Sequence, residues 1–336
     1  MFNGNGNDNG TGDDNGNDNF NNNYNKNLTT MYALGMDIGG TNTVFGIVNK
    51  EGKVIASDSV KTQAFPVLDE YVTTVSGKIK ELLSEAGISL TDIVGMGIGA
   101  PNASYYTGTI NKAPNLPWKD DTIPLAQLFS DQLDGLKVTM TNDANAAALG
   151  EMTYGVAKGL KHFIMITLGT GVGSGIIVDG KLVYGKDGFA GELGHVIIDR
   201  SPEARLCGCG RRGCLETYCS ATGLIRTARE RLQGVKIEGS KDVYDLAMQG
   251  DATAIDIFNE TGKRLGQALA DMVVFSSPEA FVFFGGLAKS GDLFLKPTQE
   301  ALEESVMPIF KGTTKLLLST LKDADAAVLG ASALAW

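Results

Sequence analysis

The sequence predicts an α/β protein made of two related units that face each other across a cleft. Two observations carry this. Strands alternate with helix-like segments along the chain, and one strand–glycine turn–strand pattern occurs twice. The first copy runs Ala33-Leu-Gly-Met-Asp-Ile-Gly-Gly-Thr-Asn-Thr-Val-Phe-Gly-Ile-Val, then through the turn Asn49-Lys-Glu-Gly into Lys53-Val-Ile-Ala. The second runs Phe163-Ile-Met-Ile-Thr-Leu-Gly-Thr-Gly-Val-Gly-Ser-Gly-Ile-Ile-Val, then through Asp179-Gly into Lys181-Leu-Val-Tyr. Each reads as a buried strand, a tight glycine turn, a second strand, a polar turn and a third strand. The copies align with one-residue offsets.

Taken in order, residues 1–30 come first, and twelve of these thirty are Asn, mixed with Gly and Asp. Such a tail buries too little apolar surface to offset its ordering entropy and is expected to be disordered, with Met31 as the functional start. Leu68 to Ala86 reads as an amphipathic helix with Val72, Val75, Ile79, Leu82 and Leu83 on one face. Strands are expected at Ile93–Gly99 and Leu136–Thr141, and a helix start at Asn145–Leu149. Beyond Cys219 the pattern is helical over Ala221–Leu232, Val243–Met248 and Ala252–Val274. One further strand, Ala280 to Phe284, runs into Gly285-Gly286, and the Ala-rich segment Ala324 to Ala335 is a good helix former.

Composition narrows the function. The 336 residues suffice for one large domain or two ordinary ones, and 43% hydrophobic content can fill sizeable cores. A net charge of −10 with scattered Lys and Arg argues against nucleic acid as a partner, since neutralising phosphates needs clustered cations. The apolar stretches Phe163–Val178 and Ala326–Trp336 are broken by glycine or too short for a bilayer, so no membrane partner is expected. With no secretory signal pattern, the chain is expected in the cytoplasm. In that reducing compartment, four Cys crowded between positions 207 and 219 suggest metal rather than disulfides.

The chemistry-bearing residues fall into three groups. In Asp37-Ile-Gly-Gly-Thr-Asn an acid ends a strand, and the turn of Gly39, Gly40, Thr41 and Asn42 offers backbone N–H groups and two polar side chains to phosphate oxygens. Gly169, Thr170 and Gly171 repeat the arrangement. Hairpins use glycine routinely, so the weight lies in the duplication. Neither the P-loop pattern nor the dinucleotide fingerprint is present: Gly169-Thr-Gly-Val-Gly-Ser lacks the third glycine and leads into a strand. The second group, Thr141-Asn142-Asp143-Ala-Asn145, admits two readings. Asn142 or Asp143 caps a helix, or Asp143 serves as general base toward a hydroxyl attacking phosphorus. The third group, Cys207, Cys209 and Cys214 on a glycine-rich loop with His195 upstream, has the donors of a tetrahedral zinc site. Cys219 and His162 read as structural.

Together these segments resemble the ROK family (repressors, open reading frames, kinases). The resemblance is carried by Asp37-Ile-Gly-Gly-Thr, Asn142-Asp143-Ala-Asn, Leu168-Gly-Thr-Gly-Val-Gly, Gly191-Glu-Leu-Gly-His and Cys207-Gly-Cys-Gly-Arg-Arg-Gly-Cys-Leu-Glu, in that order. It implies a two-domain actin/hexokinase-like ATPase fold. The expected limits are residues 31–141 and 142–321, with a last helix at about 322–336 returning to the first domain. It implies ATP-dependent phosphorylation of a hexose, glucose first, with N-acetylmannosamine, N-acetylglucosamine, fructose or allose as alternatives. Asp143 would be the base, and Asn142, Glu192, His195 and Glu216 would contact sugar hydroxyls. Asp37, Gly39, Gly40, Thr41, Asn42, Gly169, Thr170 and Gly171 would hold ATP phosphates, Mg²⁺ would accompany the nucleotide, and Gly285 and Gly286 would lie near the adenosine. His195, Cys207, Cys209 and Cys214 would bind a structural Zn²⁺, and a homodimer or homotetramer is expected. Where many members have Pro-Gly, this chain has Pro101-Asn102, which places Asn102 on a loop lining the sugar site; Asn115 is a further candidate contact. A repressor of this family would need a helix-turn-helix domain before Asp37, where only the Asn-rich tail stands. A filament-forming ATPase is a third reading on fold alone.

Overall fold

Two five-stranded sheets of matching topology organise the chain. The computed structural model describes residues 31–113 and 115–336, so the expectation of a disordered segment over 1–30 lies outside the described residues. The first sheet contains β1 (Tyr32–Ile38), β2 (Asn42–Asn49), β3 (Val54–Lys61), β4 (Ile93–Gly99) and β8 (Val138–Thr141), in the order β3-β2-β1-β4-β8. A small sheet inserted between β4 and β8 is formed by β5 (Ala103–Ser104), β6 (Thr109–Asn111) and β7 (Thr122–Ile123). The second large sheet contains β9 (Phe163–Leu168), β10 (Val172–Val178), β11 (Lys181–Leu182), β12 (Ala280–Phe284) and β13 (Lys315–Leu318), in the order β11-β10-β9-β12-β13. In both sheets the first three strands form an antiparallel meander and the last two run parallel to the first.

The register explains the one-residue offset between the copies. Ile38 pairs with Thr43, leaving Gly39 to Asn42 in the first turn. Leu168 pairs with Val172, leaving only Gly169 to Gly171 in the second. The expected strand over Lys181–Tyr184 is shorter than its sequence suggests, because Gly185 at φ 69° turns the chain off the sheet. The small sheet and β13 are too short to show periodicity and have no counterpart among the expected strands.

Nine helices are described: α1 (Leu68–Glu85), α2 (Leu125–Gln132), α3 (Asp143–Tyr154), α4 (Glu216–Cys219), α5 (Ala221–Arg231), α6 (Ser240–Met248), α7 (Ala252–Ser276), α8 (Asp292–Ser305) and α9 (Asp323–Ser332). The apolar face read for α1 is buried at all five positions and packs on Leu34, Met36 and Phe45 of the first sheet. A second core joins Ile164, Ile166, Phe281 and Phe283 to Ile257, Phe258 and Leu265 of α7. Among the described residues, no helix is long and apolar enough to cross a membrane.

Two helices bring the sheets together. α3 lies against β10, where a side chain on Gly175 would meet Ala148, and also touches β4, where Ala146 faces Gly99. α9 returns to the first sheet and lies almost flat on it: a Cβ at Gly97 would come within 1.8 Å of the Ala331 carbonyl oxygen, and one at Gly35 within 2.0 Å of that of Val328. The two helices cross at Gly150 and Gly330, with room for no side chain between them.

Replacing Gly97 with Ala is therefore expected to cost about 3 kcal/mol, because backbone cannot yield as a side-chain tip can. Gly77, mid-helix in α1 with nothing within 4 Å of an added Cβ, is the control. Gly77→Ala should stabilise by roughly 0.5–1 kcal/mol. Urea unfolding midpoints of both variants check this.

Candidate active site

The first glycine turn is clamped from behind. The Gly39 carbonyl accepts from Thr62 Oγ1 at 2.8 Å, that of Gly40 from Gln63 Nε2 at 2.7 Å, and that of Thr41 from the Thr62 backbone N–H at 2.9 Å. A trans peptide points its N–H opposite its C=O, so the amides of Gly40, Thr41 and Asn42 are turned away from Thr62 and Gln63. Gln63 also donates to the Asn115 carbonyl at 3.1 Å, which sets Asn115 beside Gly40. Thr62 and Gln63 carry no motif, and nothing in the sequence marks them.

At the end of β8 the capping reading holds for Asn142. Asn142 is the N-cap of α3, its Oδ1 accepting from the Asn145 N–H at 2.7 Å. That leaves Asp143, the first helical residue, to line the cleft.

The cleft is a cavity of about 620 Å³. It gathers Asp37, Asn115, Asp143, Gly169, Thr170, Gly171, Glu216 and Gly285, with Leu321, Phe284 and Ala326 forming an apolar stretch. Gly39 to Asn42, Asn142, Glu192, His195 and Gly286 do not line this cavity. Asn102 stands apart as well: its backbone adopts φ 53° and its Nδ2 donates to the Lys112 carbonyl at 3.0 Å. Asn tolerates this left-handed conformation better than most side chains.

Crowded acids shape the electrostatics. Asp37 lies over Gly99 near Asp143, and burial, followed by the Asp143 charge, pushes its carboxyl up to about 7. Partial desolvation also raises Glu192; Asp143 and Glu216 add to the rise and His195 opposes it. Glu151, fully buried on the cavity wall, is raised by burial although it accepts from Ser319 Oγ and, at 2.9 Å, from the Val156 N–H.

The cysteine loop folds back on the segment that bears His195. Residues 207–210 form a tight turn, with Gly210 N–H donating to the Cys207 carbonyl at 3.0 Å. Ile197 pairs with Cys214, and the Leu215 N–H donates to the Val196 carbonyl at 2.9 Å. The ligand atoms of His195, Cys207, Cys209 and Cys214 consequently lie within 4.8 Å of one another. Cys209 Sγ and Cys214 Sγ are 3.7 Å apart, and Cys207 Sγ is 3.6 Å from His195 Nδ1. Zn–S bonds of about 2.3 Å in a tetrahedron require edges of about 3.8 Å, so these four residues fit a zinc ion. Cys219 is buried away from the cluster, and His162 faces Asp179 on the surface.

Glu216 joins the cluster to the cleft. Its Oε1 lies 2.8 Å from Cys207 Sγ and 3.6 Å from His195 Nδ1. Its Oε2 rests against the second glycine turn, where a Cβ at Gly171 would approach it to 2.7 Å. The short helix α4 that bears Glu216 is held by Tyr218, whose ring lies under the guanidinium groups of Arg205 (4.8 Å) and Arg264 (4.7 Å).

Two sheets of one topology, each with a glycine turn between its first two strands, and an acidic cavity lined by the Asp37 end of one and the Gly169–Gly171 turn of the other define an actin/hexokinase-like ATPase fold. The chain matches the ROK family over residues 33–336 and belongs to it. It is 34% identical to a glucokinase of Halalkalibacterium halodurans over 317 residues, covering 90% of this chain and 94% of that enzyme. A glucokinase of Thermotoga maritima is 32% identical over 315 residues, 90% and 96% of the two chains. Among solved structures, a ROK family glucokinase from Streptomyces griseus in complex with glucose and AMPPNP superposes with a TM-score of 0.72 at 32% identity, covering 90% of this chain and 98% of that one.

Two measurements follow from the site. A carboxyl whose folded pKa lies above its unfolded value favours folding most fully below the unfolded value, and the benefit is lost as pH rises through the folded one. For Asp37 that window runs from 3.8 to about 7. Between pH 5 and pH 8 the unfolding free energy of the ligand-free protein, from urea titrations, should therefore fall relative to that of Asp37→Asn by on the order of 2–4 kcal/mol. Elemental analysis should give about one zinc per chain, and Cys214→Ser should lose the metal and melt several degrees lower.

Proposed function

We propose that this chain transfers the γ-phosphoryl group of ATP to a hydroxyl of a hexose, with glucose giving glucose 6-phosphate as the leading reaction. The observation that carries this reading is the meeting of Asp143, Asp37, Glu216 and the Gly169–Gly171 turn in one cavity. The similarity to glucokinases along nearly the whole chain supports glucose over other hexoses.

Asp143 accepts the proton of the attacking hydroxyl and orients that oxygen toward phosphorus. Phosphoryl transfer depends mostly on such positioning and on charge stabilisation. Glu192, His195, Glu216 and Asn142 select sugar hydroxyls, with Asn102 and Asn115 on the loops beside them. Amides of Gly39 to Asn42 and of Gly169 to Gly171 receive phosphate oxygens, and Gly285 and Gly286 border the adenosine. Asp37 faces the nucleotide; a magnesium ion bound with ATP would supply positive charge beside it, and the raised pKa of Asp37 fits a carboxyl that awaits such a charge. Zinc held by His195, Cys207, Cys209 and Cys214 would fix the loop that presents His195 and Glu216. Two domains, 31–141 with 322–336 and 142–321, a homodimeric or homotetrameric assembly and a cytoplasmic location complete the proposal.

An ATP-coupled assay over a panel of hexoses tests it, and the absence of turnover with every hexose would reject it. Asp143→Ala should lower kcat by roughly 10²–10⁴-fold, while glucose binding measured by calorimetry stays within a few-fold of wild type. Near-normal turnover would remove the base assignment.

A further inference from the structure

Three tyrosines outside the cavity join the two halves of the protein. Tyr105 and Tyr106 lie on the turn between β5 and β6, whose Ala103 and Ile110 belong to the first core. Tyr184 follows β11, and its neighbour Val183 packs on the second core. The rings of Tyr105 and Tyr184 stack with centroids 4.0 Å apart and planes 13° from parallel. Tyr106 meets Tyr184 edge-on at 6.0 Å, and its hydroxyl donates to the Gly185 carbonyl at 2.8 Å. At Gly188 the loop after Tyr184 lies against Ser104 and Tyr105.

The position of this cluster in the chain gives it a function. Asn102 sits one residue before β5. The loop 184–191 ends at Gly191, whose carbonyl accepts from Ser174 Oγ, and Glu192 comes next. The tyrosines thus tie the loop of Asn102 to the loop of Glu192, one from each half. Tyr105 and Tyr106 are 40% and 57% exposed, so they contribute little to the core of their own half, while both rings meet Tyr184 of the opposite half.

We propose that Tyr105, Tyr106 and Tyr184 form an aromatic clasp that holds the cleft shut at its sugar end and thereby positions both sugar-facing loops. A stack and a hydrogen bond of this kind bias an open–closed equilibrium by about tenfold. A ligand that binds only the closed form loses apparent affinity by the fraction of that form that is lost. Resting on the hexose-kinase reading, the kinetic consequence is a sugar KM raised about threefold in Tyr105→Ala, the loss of closed form that a tenfold shift gives when the cleft starts mostly shut. The ATP KM and kcat at saturation should stay within about twofold, because none of the three tyrosines lines the cavity that holds Asp143 and the Gly169–Gly171 turn. Tyr105→Phe should behave as wild type, since stacking needs the ring and not the hydroxyl, whereas Tyr106→Phe should show a partial effect through the lost bond to Gly185.

A second measurement does not depend on turnover. Hydrogen exchange of the ligand-free protein should show amides 185–191, in the opposite half, exchanging about threefold faster in Tyr105→Ala than in wild type or Tyr105→Phe. Unchanged exchange there overturns the clasp even if the enzyme is active. An unchanged sugar KM in Tyr105→Ala, or an equal rise in Tyr105→Phe, overturns its positioning role. A wild-type protein with no hexose turnover but with faster exchange in Tyr105→Ala retains the clasp and removes the hexose reading instead.

Discussion

The structure depends first on backbone packed directly against backbone. α9 can lie on β1 and β4 only because Gly35 and Gly97 present no side chain, and it can cross α3 only where Gly150 meets Gly330. Close packing of this kind has little tolerance for added volume. It fixes α3 between the two sheets, and α3 in turn delivers Asp143 to the cleft at the end of β8. The chemistry of the site is therefore set by contacts made a helix length away from it.

A second constraint is electrostatic. The cleft holds Asp37, Asp143 and Glu216 together, and the ligand-free protein tolerates this by keeping the Asp37 proton to about neutral pH. Carboxylates brought this close repel one another, and burial adds to the penalty. Positive charge that enters with a ligand relieves both. Glu216 carries a further load, because one oxygen faces the cysteine cluster while the other faces the second glycine turn. The cysteine cluster and the second glycine turn consequently share one side chain.

Features written in short stretches of sequence were legible. The duplicated turn, the helix face of α1, the capping pattern at Asn142 and the spacing of Cys207, Cys209 and Cys214 each lie within one or two elements. Features made by distant residues were not. Gln63 reaches Gly40 and Asn115 from the end of β3, Glu151 finds Ser319 far along the chain, and the role of Gly97 depends on Ala331. In each case the sequence shows an ordinary residue in an ordinary element, and only the fold supplies its partner. The tyrosines lie between these cases: Tyr105-Tyr106 stands out as a pair, but its meaning comes from Tyr184.

The two glycine turns are near-copies, yet the first encloses four residues and the second three. That single extra residue breaks the approximate twofold symmetry which the matching sheets would otherwise impose. A ligand reaching both turns would meet a wider loop at one end and a tighter one at the other. The cleft therefore has a direction written into its main chain, and an unsymmetrical guest can be told apart from its own reversal before any side chain is consulted.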